Sequence, residues 1–186
     1  MTRKFRLERL LIVGLGSIGT RHARLIRQLI PEIQIGVFRH QSLQPLPDIE
    51  VDHCFTNIDE VREFRPQAAV ISNPASHHLD IALTLARQGV HLLVEKPISM
   101  QASHRVLELI NTCKDKGLIL MTGYNLRFLP SLNAYRDLLL QGKVGKTFSI
   151  RAEVGQYLPD WRPGSDYRQT VSALKELGGG ALLELS

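Results

Sequence analysis

The chain has 186 residues, of which 44% are hydrophobic and 22% charged, enough apolar material for one ordinary core and part of a second. Its uninterrupted apolar runs are far shorter than the ~20 residues that cross a bilayer, and the basic start MTRKFRLER precedes no signal-type apolar stretch, so the expectation is a soluble, cytoplasmic protein. The net charge of +5 comes from 23 Lys and Arg scattered among 18 acids without interleaved aromatics, which argues against nucleic acid and fits an anionic small molecule.

In chain order, short β-branched runs alternate with stretches of helical period, the pattern of a parallel sheet with crossover helices. Strand one is expected at Arg9 to Val13, followed by a helix from Ile18 to Ile30 that Pro31 stops. Ile33 to Phe38 is the second strand and Val51 to Phe55 a weak third. Asn57, with Glu60 three residues on, reads as a capping box opening a helix that ends before Pro66. Ala68 to Ser72 is strand four, and Ser76 is expected to cap the helix that Gly89 ends. His91 to Val94 is strand five, Ser99 caps a helix reaching Lys116, and Leu118 to Thr122 is strand six. Cys54 and Cys113 have neither CxxC nor metal-ligand spacing and read as small core fillers.

After Gly123 the rhythm changes. A helix is expected around Ser131 to Leu140, then a half-wet strand over Lys146 to Tyr157, then loops rich in Pro and Gly. The fold class that follows is α/β, a doubly wound parallel sheet over residues 1–123, with 124–186 as the incomplete start of an α+β domain. An unfinished sheet would leave apolar surface to cover, so a homo-oligomer is expected.

Four stretches carry chemistry. GLGSIG, comprising Gly14, Leu15, Gly16, Ser17, Ile18 and Gly19, lies between the first strand and helix. Gly14 lets the chain turn tightly, Gly16 lets a pyrophosphate approach the backbone, and Gly19 lets the helix pack on the sheet. The phosphates would sit at the helix N-terminus. An acid about 20 residues beyond the glycines would bind the adenosine ribose and favour NAD, but that position holds Arg39, with Ser42 close by and no acid before Asp48. Arg39 could cover a 2′-phosphate and so favours NADP; the plain alternative is a solvated surface arginine. SNPASHH, Ser72 to His78, follows strand four and places Asn73 and Pro74 beside a ligand groove, while the His77–His78 pair reads as a surface feature of a helix start. VEKP ends strand five at the mouth of the same groove. There, Lys96 beside a cationic nicotinamide would have its proton loosened and could exchange it with a substrate hydroxyl, or Glu95 and Lys96 could be plain surface charges.

On GLGSIGTRH, SNPASHH, VEKP and GYNLRFLP (Gly123 to Pro130), the sequence resembles the Gfo/Idh/MocA family of nicotinamide-dependent oxidoreductases. WRPGSDYR and ELGGGALLELS are similar to its sugar-modifying branches. The resemblance implies that Lys96 touches nicotinamide and the reacting hydroxyl, and that Glu95 lies near the nicotinamide ribose. It puts Ser72, Asn73, Pro74 and His77 on cofactor-contacting positions, and Asn125 where the sixth strand meets the ligands. Tyr124, Arg127, Trp161 and Arg162 would face cofactor or substrate. It also implies a sugar or sugar-nucleotide substrate, and a histidine directly after a glycine-rich stretch like GGGALLELS. The sequence stops at Ser186 before such a histidine, which makes an amino-terminal fragment of an enzyme the expectation. A non-catalytic dinucleotide-binding module is the rival reading.

Overall fold

The computed structural model describes residues 6–39, 50–161, 164 and 166–184. Six strands form one sheet: β1 (Arg9–Val13), β2 (Gln34–Phe38), β3 (His53–Phe55), β4 (Ala68–Ile71), β5 (His91–Val94) and β6 (Leu120–Thr122). All pair in parallel, in the order β3-β2-β1-β4-β5-β6. This is the doubly wound order, in which the chain reverses direction across the sheet between β1 and β4 and leaves a crevice at their carboxyl ends.

Burial explains why these runs are nearly all apolar. Leu11, Val13, Ala69, Ile71, Leu92 and Val94 fill one face beneath α2 (Ile58–Phe64), α3 (His78–Arg87) and α4 (His104–Asp115). Leu10, Ile12, Ile35, Val37 and Val70 fill the other face against Ala23 and Ile26 of α1 (Ser17–Leu29). A strand covered on both sides has no wet face to alternate with.

Side-chain caps open α2 and α4, and two sequence expectations about caps fail. Asn57 does cap α2, its Oδ1 accepting from the Asp59 N–H at 3.0 Å. Ser76 does not cap α3: a 3-10 turn (Ala75–His77) intervenes, and the Ser76 hydroxyl is buried without a hydrogen-bond partner among the described residues. Ser99 is spent on the Gln101 carbonyl, and α4 begins later, at Ser103, whose Oγ accepts from the Arg105 N–H. The buried residues of α4, Leu109 and Cys113, are four residues apart on its inward face.

Beyond β6 lie α5 (Pro130–Leu140), several 3-10 turns and α6 (Ala181–Glu184). The strand expected over residues 146–157 does not form; these residues are extended and exposed, with Phe148 86% accessible. A pleated segment becomes a strand only when a neighbour supplies the ladder, and none lies beside it among the described residues. Cys113 is buried, and burial pushes its thiol up from the usual range. Cys54, by contrast, is exposed, because β3 is an edge strand of three residues with one side uncovered.

The edge at β2 and β3 is tied to α1 by one carboxylate. Asp52 accepts from the Ile35 N–H and from Arg27, each at 2.7 Å. Burial alone would raise this carboxyl, but the two donors outweigh it and hold it below the usual carboxylate range. Its contribution is therefore present above the unfolded carboxylate pKa and lost as pH falls through the lower folded value. At a site this open to solvent the contribution is at most about 1 kcal/mol. Thermal melts of the wild type and Asp52→Asn should differ at pH 7 and converge as the pH drops to the acid range.

Candidate dinucleotide site

The ladder does not stop where the strands stop. One further rung joins the residue after each strand to the last residue of its neighbour: Arg39 N donates to Phe55 O, Gly14 N to Phe38 O, Ser72 N to Val13 O, Glu95 N to Ile71 O, and Gly123 N to Val94 O, all at 2.8 to 3.0 Å. Arg39, Gly14, Ser72, Glu95 and Gly123 therefore stand in one row along the carboxyl rim. With strands spaced about 4.8 Å apart, Gly14 and Glu95 lie roughly 10 Å from each other along it.

The glycine turn is built at the centre of this row. Gly14 has φ +81°, and a Cβ there would lie 2.8 Å from the Asn73 backbone. At Gly19 a Cβ would lie 2.1 Å from the Gly14 carbonyl oxygen and 2.8 Å from Ser72 Oγ, so α1 can seat on the turn only without a side chain. Gly16 is different: a Cβ there meets nothing within 4 Å. It is also the N-cap of α1, with no side chain closing the cap and no acid in the first turn. The open N–H groups and the positive end of the helix dipole thus face free space, which suits a phosphate. Asn73 Oδ1, buried and without a hydrogen-bond partner among the described residues, has the opposite need, a donor. These features fit a dinucleotide.

The remaining candidates divide. Ser72 is on the rim, but its hydroxyl hydrogen is committed to the Val13 and Gly14 carbonyls, each at 3.0 Å, so it stitches β4 to the glycine turn. Pro74 opens the 3-10 turn that follows. Lys96 lies one residue beyond the row and is half-buried. The Oε1 of Glu95 lies 2.7 Å from His22 Nε2. Asn125, Tyr124 and Arg127 follow β6 on an exposed 3-10 turn at the same end of the sheet. Trp161 sits among Leu158, Tyr167, Thr170 and Ser172 of its own segment and is not brought into the row. Arg162 and Ser42 lie outside the described residues. His77 is exposed, whereas its neighbour His78 is buried and bonded to both rim loops.

Three features were not singled out from sequence. His22 stands in the GTRH that follows the glycine loop, and the spacing of a polar residue one turn past Gly19 was the available signal. His78 is followed by Ala82, Leu85 and Ala86 on the buried stripe of α3, a periodicity that would have placed it inward. The packing of the glycine triplet on the rim had no local signal: a Cβ on Gly178 would lie 2.7 Å from Ala75 Cβ, so this distant segment rests on the turn after Pro74.

The glycines make opposite predictions. Gly19→Ala should cost several kcal/mol, on the order of 2 or more for an overpacked contact with backbone, and be seen as a large drop in Tm. Gly16→Ala should leave Tm nearly unchanged while weakening dinucleotide binding; equal melting losses in both would contradict this geometry.

Comparison with known proteins places these features in context. The family described as an oxidoreductase family with an NAD-binding Rossmann fold, Gfo/Idh/MocA, matches residues 8–124. Trans-1,2-dihydrobenzene-1,2-diol dehydrogenase of Xenopus tropicalis is 37% identical over 122 residues, covering 64% of this chain and 34% of that protein. The chain thus spans about a third of that relative's length. Scyllo-inositol dehydrogenase from Lactobacillus casei, solved with bound NAD(H) and scyllo-inositol, has TM-score 0.65 at 24% identity, over 76% of this chain and 43% of that one. An NAD-binding protein from Listeria innocua has TM-score 0.68 at 22% identity, over 96% of this chain and 51% of the other.

Proposed function

Since this chain belongs to the Gfo/Idh/MocA oxidoreductase family, we propose that it is the dinucleotide-binding part of an NAD(P)-dependent dehydrogenase that oxidises or forms a hydroxyl on a sugar, polyol or sugar nucleotide. The observation that carries the reading is the single rim row, which puts an open helix N-terminus at one point and Lys96 roughly two strand spacings away. Relatives named as inositol and levoglucosan dehydrogenases support the substrate class.

In this reading the pyrophosphate lies against the N–H groups of Gly16, Ser17 and Ile18, and Asn73 lines the nicotinamide half of the groove. The bound cofactor would accept or supply the hydride. Lys96 Nζ holds or moves the proton of the substrate hydroxyl at the same carbon, and Tyr124, Asn125 and Arg127 approach from the loop after β6. The contribution of such a positioned acid or base is about 100-fold or more.

Arg39 supports NADP over NAD. It is the row's neighbour to Gly14 on the side away from β4, where the adenosine ribose lies in this fold, and among the described residues it has no acidic partner. The exposed apolar side chains of α5 (Leu132, Tyr135 and Leu138) and Phe148 support self-association. Sedimentation at rising concentration should show a dimer or larger species; a monomer throughout would remove that part.

Calorimetric titration with NADPH and NADH tests the cofactor reading. NADPH should bind more tightly, and Arg39→Ala should lose about 10-fold or more for NADPH with little change for NADH, as removal of a charged hydrogen bond implies. Binding of NADH alone would overturn the NADP preference. Lys96→Ala should retain dinucleotide binding and abolish any polyol-dependent reduction of the cofactor; unchanged turnover would remove Lys96 from the chemistry, and no turnover in the wild type would leave only a binding module.

A further inference from the structure

The two chain neighbours of Lys96 are each held by a histidine from a different helix. Glu95, on the side of the sheet that α1 covers, has Oε1 2.7 Å from His22 Nε2. The strand alternation dictates this: Val94 is buried beneath α3 and α4, so the next side chain points to the opposite face. The Glu95 carboxylate is closed in further by Gly123, where a Cβ would lie 2.8 Å from Oε2. Pro97 is held from the other face. Its carbonyl oxygen lies 2.8 Å from Nδ1 of His78, the first residue of α3, and Nε2 of the same ring lies 2.8 Å from the Asn73 carbonyl oxygen. His78 is only 2% exposed, so neither contact competes with water. Both oxygens can only accept and a neutral imidazole carries one N–H, so at any one time the ring donates to one of them and packs against the other.

The rung from Glu95 N to Ile71 O is the last ladder bond of β5. Past it, the histidines supply fixed points on both sides of Lys96, one from each layer of helices, and His78 also ties that loop to Asn73. A lysine that must meet a reacting atom needs such support, because a flexible four-carbon stem carries much rotamer freedom of its own and an unanchored backbone adds more. We propose that His22 and His78 are positioning residues that orient Lys96 toward the nicotinamide ring and set its register against Asn73. This rests on the dinucleotide reading given above.

Two measurements on the full chain test it. The first needs no ligand. Amide hydrogen exchange across residues 95–100 should accelerate on the order of tenfold in His22→Leu and in His78→Leu, the latter also accelerating residues 73–76. His22→Gln, which keeps an N–H for Glu95, should restore most of the protection. Unchanged exchange in either variant while it stays folded would overturn the proposal. The second reads the orientation of Lys96. A lysine aimed at the ring makes the affinities for oxidised and reduced dinucleotide differ, on the order of tenfold at short range, and Lys96→Ala removes that difference. Each histidine variant should shift the ratio toward the Lys96→Ala value. A purely structural role would lower Tm or weaken both forms equally, leaving the ratio at its wild-type value, and that result would contradict positioning. Should the wild type bind neither form, the dinucleotide reading and the orientation toward its ring fall together. Loosening of 95–100 would then still show the histidines to be anchors of that loop.

Discussion

The arrangement depends on one constraint: parallel pairing continues for one further rung at the end of each of the five strand pairs. Because the donor of each added bond is the residue after a strand and the acceptor is the last residue of its neighbour, five chain exits are forced to a common level. A groove along such a row needs no further design to be straight. What the individual loops then contribute is departure from the row in chosen directions. Gly14 turns sharply, Asn73 closes over it, and Lys96 passes one residue beyond.

Side chains that look like ligands in the sequence are partly consumed in keeping the loops at that level. Ser72 gives its hydrogen to two carbonyls of the glycine turn, and Glu95 accepts from the side of α1. Among the described residues near the glycine turn, open hydrogen-bonding capacity remains at the start of α1, at the buried Asn73 oxygen and at the Ser76 hydroxyl. A site divided in this way has a rigid floor and few adaptable contacts. That suits a ligand whose shape does not vary.

Much of this was legible in the residues. The apolar runs gave β1, β2, β4 and β5 within about one residue because strands buried on both faces are written as hydrophobic stretches, whereas the more exposed edge strands β3 and β6 each begin two residues later than expected. The three glycines of the loop were assigned separate roles, and the space around each agrees: closed at Gly14 and Gly19, open at Gly16. The failures have a common origin in long-range packing. Two serines precede α4 closely, and only the position of Leu109 and Cys113 against the sheet selects Ser103 over Ser99. Adjacent histidines look alike in sequence, but the helix phase buries His78 and exposes His77. The alternation over residues 146–157 describes a segment able to pair, which is a weaker statement than one that does.

The central claim is that a dinucleotide lies along this row from Arg39 through Gly16 to Lys96. Its most direct test is the footprint of bound NADPH in backbone amide NMR or hydrogen exchange. The account predicts protection at 14–19, at 39, at 72–75 and at 95–97, in one continuous band at the carboxyl ends of the strands. Protection at the opposite end of the sheet, or confined to residues after 130, would contradict it.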